Sequence, residues 1–323
     1  MTPTSDPSVN AAALEEFAGR LAGAGLRVRR DVAIGALTTY RVGGHAAIAL
    51  DAARPDDLRR IGSVRGDLDV PVVVIGRGSN LLVADGGFAG LSVTLGDDFA
   101  AIDVDGDRVT AGGAASLPVV ARRTAAAGLT GFEWAVGVPG SIGGAVRMNA
   151  GGHGSDMAAC TERVRVIDLA DGEDVEVTVD DLAFGYRRSA IASTQVVVEA
   201  TLRLRPGIVE QSESEISEIV RWRREHQPGG ANAGSVFTNP EGDSAGRLID
   251  AAGCRGLRVG TAEVSDKHAN FIQADPDGNA GDVVALMAEV RRRVADVHGV
   301  DLRAETRLVG FDRAMALAAG AES

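Results

Sequence analysis

The segment Gly137-Val138-Pro139-Gly140-Ser141-Ile142-Gly143-Gly144 places four glycines and a proline in eight residues, and it limits the possible folds more than any other stretch. So few side chains cannot build a core. The segment must be a loop that lets backbone come close to something else. Two chain crossings in contact would need such a loop. So would a cradle for a pyrophosphate, which main-chain N–H groups can hold without a lysine. A second loop, Gly76-Arg77-Gly78-Ser79-Asn80, lies in the same strand-rich stretch and favours the cradle. It follows an apolar strand at 71–75, but the sixth position of a dinucleotide fingerprint is here Leu81. Leu81-Leu82-Val83 continues as a strand and not as a helix, which excludes the Rossmann arrangement.

With 323 residues and 45% hydrophobic content, the chain can support two or three packed units. Aromatics are 4%, so the core is expected to be aliphatic. The formal charge of −12, with no basic run, argues against a nucleic-acid partner. Lys267 is the single lysine, leaving arginine to meet any anionic ligand. Cys160 and Cys254 are isolated, so neither a disulfide framework nor a zinc site is expected, and the histidines lack ligand spacing. Residues 1–10 have neither a basic nor an apolar run of the secretory kind, and no segment is apolar for ~18 residues. The expectation is a cytoplasmic protein.

Residues 11–24 read as a helix, with Leu14, Phe17, Leu21 and Ala24 on one face. Short strands and turns follow to about residue 205. Hairpins are expected around Asp105-Gly106 and Asp171-Gly172, with a helix at 117–127 between them. The charged stretch 208–214 reads as a linker. Helices are expected at 215–226, 244–252 and 280–298, the last with Asn279 as cap and Asp282 reaching back. Strands are expected near 235–238, 270–274 and 305–309. The fold class is α+β.

Taken together, several motifs resemble those of the UDP-N-acetylenolpyruvoylglucosamine reductase family. They are Thr38-Thr39-Tyr40-Arg41-Val42-Gly43-Gly44, Val74 to Val83, and Gly137 to Ala150 ending in Met148-Asn149-Ala150. Further along, and in the family's order, come Phe184-Gly185-Tyr186-Arg187, Gln227-Pro228, Ala233-Gly234-Ser235-Val236-Phe237-Thr238-Asn239-Pro240, and Val264-Ser265 with His268-Ala269-Asn270-Phe271-Ile272. The short spacing from Arg187 to Ser235 resembles the family's compact branch.

The resemblance implies noncovalent FAD on a domain of the vanillyl-alcohol-oxidase (PCMH) type at 31–207, after an N-terminal helix region at 1–30. A smaller α+β substrate-binding domain at 215–302 would follow, and 303–323 would return to the active site. It implies NADPH as co-substrate and UDP-N-acetylglucosamine enolpyruvate as substrate; a monomer is the expectation, though the sequence itself does not reveal the oligomeric state. Cofactor contacts would come from Tyr40, Arg41, Gly43, Gly76, Arg77, Gly78, Ser79, Asn80 and Leu81. The second loop would add Gly137, Pro139, Gly140, Ser141, Gly143, Gly144 and Asn149. Arg223, Asn239 and Asn270 would meet substrate. Ser235 corresponds to the proton donor, Arg187 to an active-site arginine and Glu305 to a catalytic glutamate.

Elementary chemistry fits these three roles. Hydride added to the enolpyruvyl C3 leaves negative charge at C2 and its carboxylate, which an arginine fork and an acidic donor stabilise. C2 then needs a proton from a positioned hydroxyl. Two departures stand out: Leu302-Arg303-Ala304-Glu305-Thr306, where the family usually has Leu-Glu-x-Glu-Val, and Gly152-His153, where it often has a tyrosine. A serine hydrolase is disfavoured, because Gly234-Ser235-Val236-Phe237 is no nucleophile elbow. Another flavin dehydrogenase on this scaffold, or a binding-only flavoprotein, are the remaining readings; the latter would keep the loops and lose Ser235 or Glu305.

Overall fold

A computed structural model describes residues 11–321; the reading of residues 1–10 lies outside them. Helix Ala11–Gly23 buries Phe17 and Leu21, and packs on a four-stranded sheet. In that sheet Ala46–Ala52 and Val72–Ile75 flank Phe88–Leu95 in parallel, and Arg29–Val32 adds an antiparallel edge. Helix Pro55–Arg65 makes the crossover from Ala46–Ala52 to Val72–Ile75, the two strands that lie either side of Phe88–Leu95.

The second sheet is antiparallel and five-stranded, in the order Asp174–Thr178, Thr161–Asp168, Gln195–Arg203, Arg108–Gly112, Ile102–Asp105. Both expected hairpins are present, with Asp105 opposite Arg108 and Ile167 opposite Asp174. Helix Leu117–Ala126 buries Leu117, Val120 and Ala121 in the core beside this sheet.

Residues 208–214 are not a linker. Helix Val209–His226 begins there, and its Ile216 and Ile219 pack into the core of the second sheet. The first turns are polar, yet Ser212 is buried and donates to Glu133 at 2.6 Å. Burial alone would push the Glu133 carboxyl up, but hydrogen bonds from Ser212 and the Gly131 N–H outweigh it and hold it low.

Helices Ala245–Ala251 and Ala280–His298 cover a three-stranded sheet, Arg258–Val259, Ala262–Val264 and Ile272–Ala274. Asn279 caps the long helix by accepting from the Asp282 N–H. Asp282 does not reach back to that cap; its carboxylate accepts from the Thr261 N–H and hydroxyl instead. Its apolar stripe is buried except Val297, which is 58% exposed. Residues 235–238 form no strand, only a single bridge from Phe237 to Ala304.

The chain end crosses back. Arg307–Val309 pairs in parallel with Leu81–Val83, directly after the first glycine loop. Tyr40, Val42 and Leu82 of the N-terminal part lie in the same core as the long helix. No helix among the described residues is long and apolar enough to cross a membrane.

Candidate functional site

A cavity of about 650 Å³ runs between the glycine loops and the C-terminal part. Its apolar lining includes Val72, Val74, Leu95, Leu117 and Val197. The first loop contributes Gly76, Arg77, Gly78, Ser79, Asn80 and Leu81. The second contributes Gly137, Pro139, Gly140, Ser141, Gly143 and Gly144. Gly78 has φ +62, and a side chain there would collide with the Leu37 carbonyl, so the turn requires glycine.

These loops suit a pyrophosphate for a concrete reason. Among the described residues, no hydrogen bond uses the N–H of Arg77, Gly78, Ser79, Asn80, Gly140 or Ser141. Main-chain donors left open along a cavity wall form an anion cradle, and the apolar walls beside it suit planar rings. The residues present therefore fit FAD.

The lining also carries polar groups. Arg187, Ser235 and Glu305 are among them, and the Arg187 Nε lies 2.7 Å from a Glu305 carboxylate oxygen. The pair is mostly buried, with 25% and 16% of the side chains exposed. Burial pushes the Glu305 carboxyl up, and the Arg187 guanidinium only partly offsets this. Arg187 has φ +57, its guanidinium donates to the Gly151 carbonyl, and it sits 5.2 Å from the Tyr186 ring centre.

The elements that aim these groups are interlocked. The Glu305 N–H donates to the Val236 carbonyl at 2.8 Å, tying the chain end to the Ser235 segment. The Asn80 side chain donates to the Glu305 carbonyl at 3.0 Å, and the Arg307 N–H to the Asn80 carbonyl, tying both to the first glycine loop.

Six expected contacts lie off the cavity. Tyr40 is wholly buried in the C-terminal core, Arg41 points to solvent, and Gly43 lets its backbone pass the Val83 carbonyl, so only Thr39 of that motif reaches the wall. Asn149 is a buried left-handed helix cap; it donates to Asp156 and the Gly185 carbonyl and accepts from the Ala158 N–H, which braces the Arg187 loop. Asn239 accepts from the Ala245 N–H at the start of a helix. Asn270, 3% exposed, clamps Phe237: its amide accepts from the Phe237 N–H at 3.0 Å and donates to the Phe237 carbonyl at 2.8 Å. Asn270 therefore positions the Ser235 segment from behind.

Arg223 does line the cavity, where burial lowers its pKa, and its Nε donates to Gln227 at 2.8 Å. Sequence reasoning missed Arg147 and Arg307, which also line it. Arg147 is pulled down to about 10, first by burial and then by Arg307 nearby. Arg307 lies two residues beyond Glu305, a spacing that could have flagged it.

Residues 46–178 match the FAD binding domain family. With this cavity and its acid–base groups, the class is an FAD-dependent oxidoreductase. Residues 226–309 match the C-terminal domain of UDP-N-acetylenolpyruvoylglucosamine reductase. The enzyme of that name from Paramagnetospirillum magneticum is 45% identical over 89% of this chain and 93% of its own length. That from Acidiphilium cryptum is 42% identical over 93% and 94%. The crystal structure of UDP-N-acetylenolpyruvylglucosamine reductase from Thermus caldophilus is 36% identical, covers 88% of this chain and 99% of that one, and gives a TM-score of 0.77. The chain belongs to the UDP-N-acetylenolpyruvoylglucosamine reductase family.

Proposed function

We propose that the protein uses NADPH to reduce UDP-N-acetylglucosamine enolpyruvate to UDP-N-acetylmuramate, a step that supplies peptidoglycan precursors. The observation that carries this reading is the Arg187–Glu305 ion pair, 2.7 Å across, lining one cavity with Ser235 and both glycine loops. FAD, when bound, supplies a hydride acceptor and donor that lets two substrates react in turn. The open N–H groups at Arg77 to Asn80 would hold its pyrophosphate, and the second loop would flank it.

Arg187 binds the substrate carboxylate and stabilises the charge that spreads into it when C3 gains hydride. Ser235 delivers the proton to C2. Glu305 holds the Arg187 fork in the free protein; burial raises its pKa, so when Arg187 turns to the substrate carboxylate Glu305 is eased towards the protonated form that can donate to the developing enolate. Arg223 meets the diphosphate. The first two sheets with helix Val209–His226 would carry the cofactor and residues 227–302 the substrate, with 303–321 completing the site. The monomer is the proposed active unit. That both co-substrates are nucleotides supports a reaction in the cytoplasm.

The test is a turnover assay in which NADPH oxidation is followed with and without the enolpyruvyl sugar under nitrogen. Oxidation that depends on the sugar and yields UDP-N-acetylmuramate supports the reading. Oxidation only when oxygen is admitted contradicts it.

A further inference from the structure

Three rings cluster at the cavity wall, two of them, Trp222 and His153, lining it and His226 behind Trp222, and nothing in the reaction above uses them. Trp222 and His226 occupy successive turns of helix Val209–His226 and stack with centroids 4.8 Å apart at 15°. His153 meets Trp222 nearly at right angles, with centroids 5.2 Å apart at 87°. Trp222 and His153 both line the cavity, and Arg223 lines it beside them.

The arrangement is held in place. The His226 Nδ1–H donates to the Trp222 carbonyl at 2.8 Å, which fixes that ring's orientation. His153 sits in the two-residue turn between Gly151–Gly152 and Ser155–Asp156, with φ +51 at His153 and +86 at Gly154. Such a turn requires left-handed backbone at both positions and normally carries asparagine and glycine. Burial and the nearby Arg223 charge lower the His153 pKa, which favours the neutral ring at pH 7. Trp222 nonetheless keeps 42% of its surface exposed. A large ring that is preordered, lines a cavity and still faces solvent is suited to receive another planar group.

We propose that Trp222, backed by His226 and flanked by His153, is a stacking platform for the base of a nucleotide bound in the cavity. Arg223 beside it meets the adjoining phosphates. The inference rests on the functional reading only in taking both co-substrates to be nucleotides. Uracil of the sugar nucleotide and adenine of NADPH offer the same π-face chemistry, so the experiment must separate them.

The chain has two tryptophans, and Trp134 is 3% exposed, so a ligand-induced change in tryptophan emission reports Trp222. The FAD-loaded protein is titrated with UDP and, separately, with NADP⁺, following emission and, by calorimetry, affinity. Wild type should be quenched by the ligand whose base stacks, and Trp222→Phe should lose that quenching while keeping most of the affinity. Trp222→Ala should weaken that ligand roughly 10-fold or more, raising KM for the matching substrate with kcat little changed. An effect confined to UDP assigns uracil; one confined to NADP⁺ assigns adenine. Thermal melts check that the variants fold. If neither ligand distinguishes wild type from Trp222→Ala, the platform is refuted, even where wild type reduces the enolpyruvyl sugar. If wild type does not reduce that sugar, the functional reading fails, and the UDP and NADP⁺ titrations still decide the platform.

Discussion

Glu305 sits where charge is disfavoured, and its closest cation is also the group expected to bind substrate. A folded-state pKa above the unfolded value, ordinarily near 4.5, means the native protein keeps a proton that the unfolded chain has released. The associated stability is fully present below the unfolded value and is lost as pH rises through the folded one. Glu305→Gln should therefore flatten the fall in stability over that window, measured by urea unfolding at several pH values; an unchanged slope would place the proton elsewhere. Ser235 is a different test. It has no proton to give while NADPH is oxidised, so Ser235→Ala should leave flavin reduction nearly intact. Reoxidation by the enolpyruvyl sugar should slow by roughly 10²–10⁴-fold. Arg187→Ala should slow the same step through about 3 kcal/mol of lost charge stabilisation and also weaken substrate binding. Stopped-flow absorbance with each substrate alone separates the three, and normal reoxidation in Ser235→Ala would remove it as the proton donor.

At the scale of elements, residues that look like ligands turn out to be braces. Asn270→Ala would leave both the Phe237 N–H and carbonyl without partners in a buried place, costing roughly 2–6 kcal/mol at 1–3 per group. Because Ser235 lies two residues away, turnover should fall further than Asn239→Ala makes it fall; equal losses would mean Asn270 does not aim the serine. Ser212→Ala should cost roughly 1–3 kcal/mol, since its partner is a charged carboxylate. The depressed Glu133 pKa sets the sign: that stability is present above the ordinary glutamate range and disappears as pH falls through the lowered value. Melts of Ser212→Ala and wild type should thus converge in acid.

The hairpins, glycine loops and long helix were legible because their signals are local: a turn residue between alternating runs, or a stripe of valines every three or four positions. Helix Val209–His226 was half hidden because its first turns are polar and one buried serine satisfies a glutamate far away in sequence. The Tyr40-Arg41-Val42-Gly43 motif pointed to the cofactor, yet the structure uses it to pack a core and cross the Val83 backbone. The ion pair between Arg187 and Glu305 was beyond any local pattern, as it depends on the chain end returning to the first glycine loop.

For the whole molecule, that return matters most. The cavity wall is drawn from the first glycine loop, the second, the Ser235 segment and the strand Arg307–Val309. A ligand filling it bridges all of them and should stabilise the native state by about 2.7 kcal/mol at a hundredfold excess over Kd. Stripping FAD should lower the melting temperature by several degrees, and added FAD should restore it; a melt indifferent to FAD would mean the cavity is not its site. If both substrates use the cavity in turn, as proposed, initial rates should give parallel double-reciprocal lines. The most direct test is a single anaerobic mixing experiment. The yellow protein is bleached with one equivalent of NADPH and then mixed with UDP-N-acetylglucosamine enolpyruvate. Return of the oxidised flavin spectrum with formation of UDP-N-acetylmuramate is the predicted result. A flavin that stays bleached until oxygen enters would contradict the account.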